Sequence, residues 1–181
     1  MLSGRAIAHR LAEESGTFAI TPILDVEQFG ASSVDVRLGP DLIVTRRTTG
    51  AVGFDPADRA EFDARTRASQ QYLRRPFGSQ VYLHPDEFAI ARTLEYVALP
   101  DDLSAEAIGR SSWGRLGLIV ATATLVQPRF QGTITLELTN VGTIPIVLYV
   151  GMRIAQLAIY EVRPVPSPRA RPAKVTTEGG N

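Results

Sequence analysis

Val34, Val36 and Leu38 are apolar while Asp35 and Arg37 between them are charged, an alternation with the period of a strand that buries one face. Similar short runs bounded by turn formers predict strands over Ser33–Leu38, Leu42–Thr45, Gln80–Leu83, Phe88–Thr93 and Tyr96–Leu99. Further on, the pattern predicts Leu118–Val126, Thr133–Leu138, Pro145–Tyr149 and Arg153–Tyr160, with turns at Gln131-Gly132 and Val150-Gly151. The period lengthens at the N-terminus, where residues 3–15 read as a short helix. Ser3 is its N-cap, Ile7 and Leu11 share a face, and Gly16 is the stop. Many short strands at close spacing imply an all-β barrel or sandwich, with the helix packed outside the sheet.

Two segments fall outside this pattern. Asp55–Leu73 is charged and poor in large apolar residues; Asp55 could cap a helix starting at Pro56, but the whole reads as a solvated insertion. From Pro164 onward the chain turns to Pro, Arg, Ser, Thr and Gly, a composition with no core-forming capacity. The expected organisation is one domain over residues 1–163 and a flexible tail over 164–181, either disordered or a flap that orders on a ligand or a neighbouring subunit.

Composition narrows the chemistry. The 181 residues suit one domain, and 19 basic against 19 acidic side chains offer no broad basic surface for nucleic acid or anionic lipid. No stretch approaches the roughly 18 apolar residues of a membrane helix, and no basic segment with an apolar core opens the chain, so the expected location is cytoplasmic. With no cysteine and only His9 and His84, thiol catalysis, thiolate zinc and a histidine-rich metal site are excluded. An anionic ligand must therefore meet a local cluster.

Gly109-Arg110-Ser111-Ser112-Trp113-Gly114-Arg115 is such a cluster. Two guanidiniums, two hydroxyls and glycines that let backbone amides approach a ligand form a donor set for phosphate oxygens, although a solvated surface turn has the same composition. Farther along, Ile134, Leu136 and Leu138 alternate with Thr133, Thr135, Glu137 and Thr139. Glu137 thus shares a strand face with three threonines, and is either solvated or directed into a polar pocket.

Six segments in order, Ser32-Ser33-Val34-Asp35-Val36-Arg37-Leu38-Gly39, Leu83-His84-Pro85-Asp86-Glu87-Phe88, Leu99-Pro100-Asp101-Asp102-Leu103, the cluster running on to Leu118, Gln131–Leu138 and Gly151–Leu157, resemble the dCTP deaminases. The resemblance spans Leu2 to Tyr160. It implies a mainly β fold, a distorted β-barrel of the dUTPase-like, β-clip type with a short N-terminal helix. It also implies a homotrimer with sites between subunits. The implied ligand is a pyrimidine deoxynucleoside triphosphate, with Mg²⁺ carried on the triphosphate as a charge neutraliser. By matching position Arg110, Ser111, Ser112 and Arg115 would contact the triphosphate, Ala123, Gln127, Thr135 and Leu136 would line the rest of the nucleotide site, and Glu137 would be the general acid/base. Zinc-dependent base deaminases need His/Cys ligands that this chain lacks, so the expected reaction is metal-free hydrolysis of dCTP to dUTP and ammonia.

Departures concentrate in Ala121–Phe130. Family members typically carry a His at its start, an Asp at Gln127 and often a Gly at Arg129, and the segment is one residue shorter here. Glutamine retains hydrogen-bonding capacity but has no basic carboxylate. Three alternatives follow: a catalytically impaired nucleotide-binding or regulatory homologue, a dUTPase-like pyrophosphatase, and an enzyme acting on a modified nucleotide. Trp113 replaces the usual Leu and reads as packing, His84 reads as structural, and Arg169, Arg171 and Lys174 read as a solvated basic tail. Asp35 and Arg37 fit either support of the site or a subunit contact.

Overall fold

The computed structural model describes residues 1–13, 17–45, 55, 57–121 and 125–163. Its elements are α1 (Gly4–Glu13), β1 (Ala19–Thr21), a 3-10 turn (Val26–Gln28), β2 (Val34–Thr45), α2 (Arg59–Ser69), β3 (Gln70–Arg74), β4 (Gln80–Leu83), β5 (Phe88–Ala98), β6 (Leu103–Gly109), α3 (Ser111–Gly114), β7 (Leu118–Ala121), β8 (Leu125–Val126), β9 (Gln131–Asn140), β10 (Ile146–Tyr149) and β11 (Arg153–Glu161). Among the described residues no helix is long and apolar enough to cross a membrane. The expected tail at 164–181 lies outside them.

Nine strands form one sheet in the order β7-β9-β5-β2-β11-β6-β8, with β1 on β5 and β3 on β2; β4 and β10 pair separately. β2 bends the sheet. Its first half pairs with β11 through Val34–Arg37 and its second with β3 and β5 through Asp41–Thr45, with a register shift between Leu38 and Leu42. One strand serving two sets of neighbours curls the sheet into a distorted, open barrel. The expected strands Ser33–Leu38 and Leu42–Thr45 are therefore one strand with a bulge between them. Gly39 is required there, because a Cβ would stand 2.7 Å from the Arg92 carbonyl oxygen. Phe88–Thr93 and Tyr96–Leu99 likewise fuse into β5, whose pairing with β9 shifts register between Arg92 and Tyr96.

The core collects the apolar positions of the alternating strands, including Val34, Val36, Leu38, Leu136, Leu138, Leu157 and Ile159, all fully buried. α1 seals one side through Ile7, and the Ser3 hydroxyl accepts the Ala6 N–H at 3.2 Å as the cap. The helix is described to Glu13, and the expected stop at Gly16 lies outside the described residues.

Three expectations are corrected. Asp55–Leu73 is not merely solvated: α2 starts at Arg59, capped by Asp58, whose carboxylate accepts the Glu61 N–H at 3.0 Å, and β3 then joins the sheet beside β2. Leu118–Val126 is not one strand, since β7 pairs with β9 while β8 pairs with β6. The expected turn at Gln131-Gly132 lies inside β9, and the chain reverses at Gln127–Phe130, where the Phe130 N–H reaches the Gln127 carbonyl at 3.2 Å. The turn at Val150-Gly151 is as expected: Gly151 has φ +93°, and a Cβ there would strike the Phe77 ring.

Candidate active site

β9 carries the first group of candidate residues. Its exposure alternates, so Ile134, Leu136 and Leu138 enter the core while Thr133, Thr135 and Glu137 face outward. On that face a cleft of about 290 Å³ is lined by Leu125, Val126, Gln127, Phe130, Thr133, Ile134, Thr135 and Glu137. Glu137 is half-buried, flanked across the sheet by Ile90 of β5 and Ala121 of β7, and is the ionisable member of this lining.

The predicted residues Gln127, Thr135 and Glu137 thus meet in one cleft. Leu136 has its side chain fully buried, so only its backbone can face a ligand, and Ala123 lies outside the described residues. Sequence reasoning missed Leu125, Val126, Phe130, Thr133 and Ile134 as lining. Strand alternation could have found Thr133; the others depend on how β8 and the Gln127–Phe130 turn fold over β9.

The turn that carries Gln127 has an unusual backbone. Pro128 takes its second position and Arg129 its third, with φ +66°, a conformation that normally selects glycine. The Arg129 N–H donates to the Pro100 carbonyl at 3.2 Å, and its guanidinium lies 3.4 Å from Asp101 in an exposed pair.

The second group of candidate residues lies at the other end of β7. β6 ends at Gly109, Arg110 takes the N-cap position of the single-turn α3, and Ser111, Ser112 and Arg115 are exposed. Trp113 fixes this turn to the body. Its ring packs against the core and its Nε1–H donates to the Arg153 carbonyl at 2.9 Å. Gly117, φ +91°, then lets the chain enter β7, because a Cβ would stand 2.7 Å from the Gly142 nitrogen. Three strand steps from Leu118 to Ala121, roughly 10 Å, separate the two groups along the chain.

Beneath the loop, Asp35 and Arg37 are buried rather than exposed. Asp35 accepts from Arg110. Arg37 pairs with Glu95 at 3.2 Å and with Asp25 at 2.5 Å, and its backbone N–H donates to Glu95 at 2.7 Å. Burial pushes the Glu95 carboxyl up from its ordinary value, while hydrogen bonds and charge from Arg37 pull it back. Gln28 completes the cluster by donating to Glu95 at 3.1 Å and to the Asp35 carbonyl at 3.0 Å. His84 belongs to a turn before β5, its N–H donating to the Glu87 carboxylate at 2.7 Å. Among the described residues no three His, Asp or Glu side chains gather in a way that could hold a metal ion.

Comparison with known proteins bears on this arrangement. The sequence model of a family described as dCTP deaminase-like matches residues 1–162. A dUMP-forming dCTP deaminase of Methanobrevibacter smithii is 40% identical over 168 residues, 92% of this chain and 82% of the relative. A dCTP deaminase of Natronomonas pharaonis is 41% identical over 174 residues, 95% of this chain and 84% of the relative. In three dimensions the chain resembles the 2′-deoxycytidine 5′-triphosphate deaminase of Agrobacterium tumefaciens, with a TM-score of 0.64 and 25% identity over 87% of this chain and 46% of that one.

Proposed function

The chain belongs to the dCTP deaminase-like family, and from that premise we propose that it hydrolyses dCTP to dUTP and ammonia. The observation that carries the reading is Glu137, half-buried in a largely apolar cleft as its ionisable group. There it takes a proton from a water molecule as the oxygen attacks the amine-bearing ring carbon, then returns that proton to the departing ammonia. Thr133, Thr135 and Gln127 supply neutral donors and acceptors around the base and sugar, and Leu136 contributes through its backbone.

Arg110, Ser111, Ser112 and Arg115 take the triphosphate in this reading. Magnesium enters with the triphosphate as part of the substrate, neutralising its charge. In this reading the assembly is the homotrimer that the family resemblance implies, in which a site draws on more than one subunit. The apolar side chains beside the two groups, Leu116 at 55% exposure and Leu125 at 54%, are available for that contact.

A second reading is supported by the relatives named dUMP-forming, which would add removal of pyrophosphate to deamination. Gln127 argues for dUTP as the product, because its amide cannot act as a base toward water attacking phosphorus. A third reading, a nucleotide-binding homologue with impaired chemistry, is motivated by the altered segment from Ala121 to Arg129.

The test is chromatography of products after incubation with Mg²⁺ and dCTP, with ammonia measured in parallel. Ammonia with dUTP is expected; ammonia with dUMP and pyrophosphate would establish the second reading, and triphosphate binding without turnover the third. Glu137→Gln should lower ammonia release by roughly 100-fold or more while triphosphate binding persists. Unchanged release would remove Glu137 from the mechanism.

A further inference from the structure

Arg110 is held from behind. Its Nη1 donates to Asp35 Oδ2, and the Asp35 side chain is only 8% exposed, against 29% for that of Arg110. The other carboxylate oxygen of Asp35 accepts from Gln156 Nε2 at 3.2 Å, and Arg153 Nη1 lies 3.5 Å from Oδ2. The backbone at Asp35 is pinned as well, through Gln28 to its carbonyl at 3.0 Å. One buried carboxylate therefore ties together β2, β11 and the loop before α3. The same loop is anchored a second time by Trp113, whose hydrogen bond ends on the backbone of Arg153.

We propose that Asp35 is a positioning residue for the phosphate site: it holds one N–H of Arg110 so that the planar guanidinium presents its remaining donors to the triphosphate in a single orientation. A guanidinium is a rigid fork, so fixing one edge sets the direction of the others. Ordering it before the ligand arrives removes a cost of binding. Asp35 touches no ligand itself; Arg153 adds positive charge beside it and the Gln156 amide holds its second oxygen, which together keep the carboxylate from rotating. The inference rests on the reading in which Arg110 contacts the triphosphate.

Contacts to a triphosphate that does not react are made equally in the ground and transition states, so losing them raises KM and leaves kcat nearly unchanged. Ammonia release from Mg·dCTP should be followed for the wild type, Asp35→Asn, Arg110→Gln and the double variant, with thermal unfolding measured beside it. Asp102→Asn, which breaks the Arg10–Asp102 pair at 2.9 Å away from this cluster, controls for general loss of stability. Asp35→Asn is expected to raise KM about tenfold with kcat within about threefold. In the Arg110→Gln background it should add nothing, since both changes act through one guanidinium.

Unchanged KM, additive effects in the double variant, or an equal rise in Asp102→Asn would overturn the assignment. If Asp35→Asn does not fold, the charge-balanced Asp35→Ala/Arg153→Gln variant removes the contact altogether, and an unchanged KM there has the same consequence. A wild type that binds dCTP without turnover sinks the deaminase reading, and the same series is then read as dissociation constants. A wild type that binds no triphosphate overturns both.

Discussion

Arg129 sits in the left-handed region with φ +66°, where a side chain is disfavoured by roughly 1 kcal/mol or more and glycine is not. Its pair with Asp101 is exposed and 3.4 Å long, an interaction too weakly favourable to offset that cost fully. Arg129→Gly should therefore leave stability unchanged or raise it by up to about 1 kcal/mol in denaturant unfolding. A clear loss would mean that the side chain contributes more than the exposed pair suggests. The odd backbone was half visible in the sequence, because a Pro-Arg pair at a tight turn is ordinary until the third position is known to need positive φ. What the sequence did mark was the family's frequent glycine at this place.

At the scale of elements, α3 is too short to hold its own shape and depends on Trp113 to dock it. Trp113→Phe keeps most of the ring packing but deletes the hydrogen bond to the Arg153 carbonyl. The expected loss is about 1 kcal/mol, or a fall of a few degrees in Tm, with KM for dCTP little changed. A large rise in KM at unaltered Tm would instead show that this hydrogen bond sets the position of the loop toward the triphosphate. The packing role was legible from sequence as a replacement of one large apolar residue by another. The anchoring hydrogen bond was not, since it joins residues 40 positions apart.

At the scale of the whole molecule, the cluster of Glu95, Arg37, Gln28 and Asp25 joins β5, β2 and the 3-10 turn. Burial raises the folded-state affinity of Glu95 for its proton above the unfolded value near 4.5. Between 4.5 and the higher folded value the native state binds more protons than the unfolded chain, so stability falls as pH rises through that window. In Glu95→Gln the decline should flatten relative to the wild type in unfolding measurements from pH 4 to pH 7. Parallel curves would show that Glu95 titrates alike in both states. Assembly belongs to the same scale: sedimentation across a wide concentration range should give a trimer, and a monomer throughout would undo the shared-site reading.

The sequence by itself determined the strand-rich class, the faces of β9 and the identity of the residue that carries charge in the cleft, because a period of two and a handful of motifs are local properties of the chain. It placed Glu137 beside Thr133 and Thr135 for the same reason. Only the tertiary structure decided that Asp35 and Arg37 are buried, since the cover over β2 comes from the 3-10 turn, β11 and the loop before α3, distant in sequence. It alone split Leu118–Val126 between two neighbours, and recruited α2 and β3 from a segment whose charged composition read as solvent. Those outcomes depend on long-range pairing and on which face is covered, and neither quantity is written in any window of the sequence.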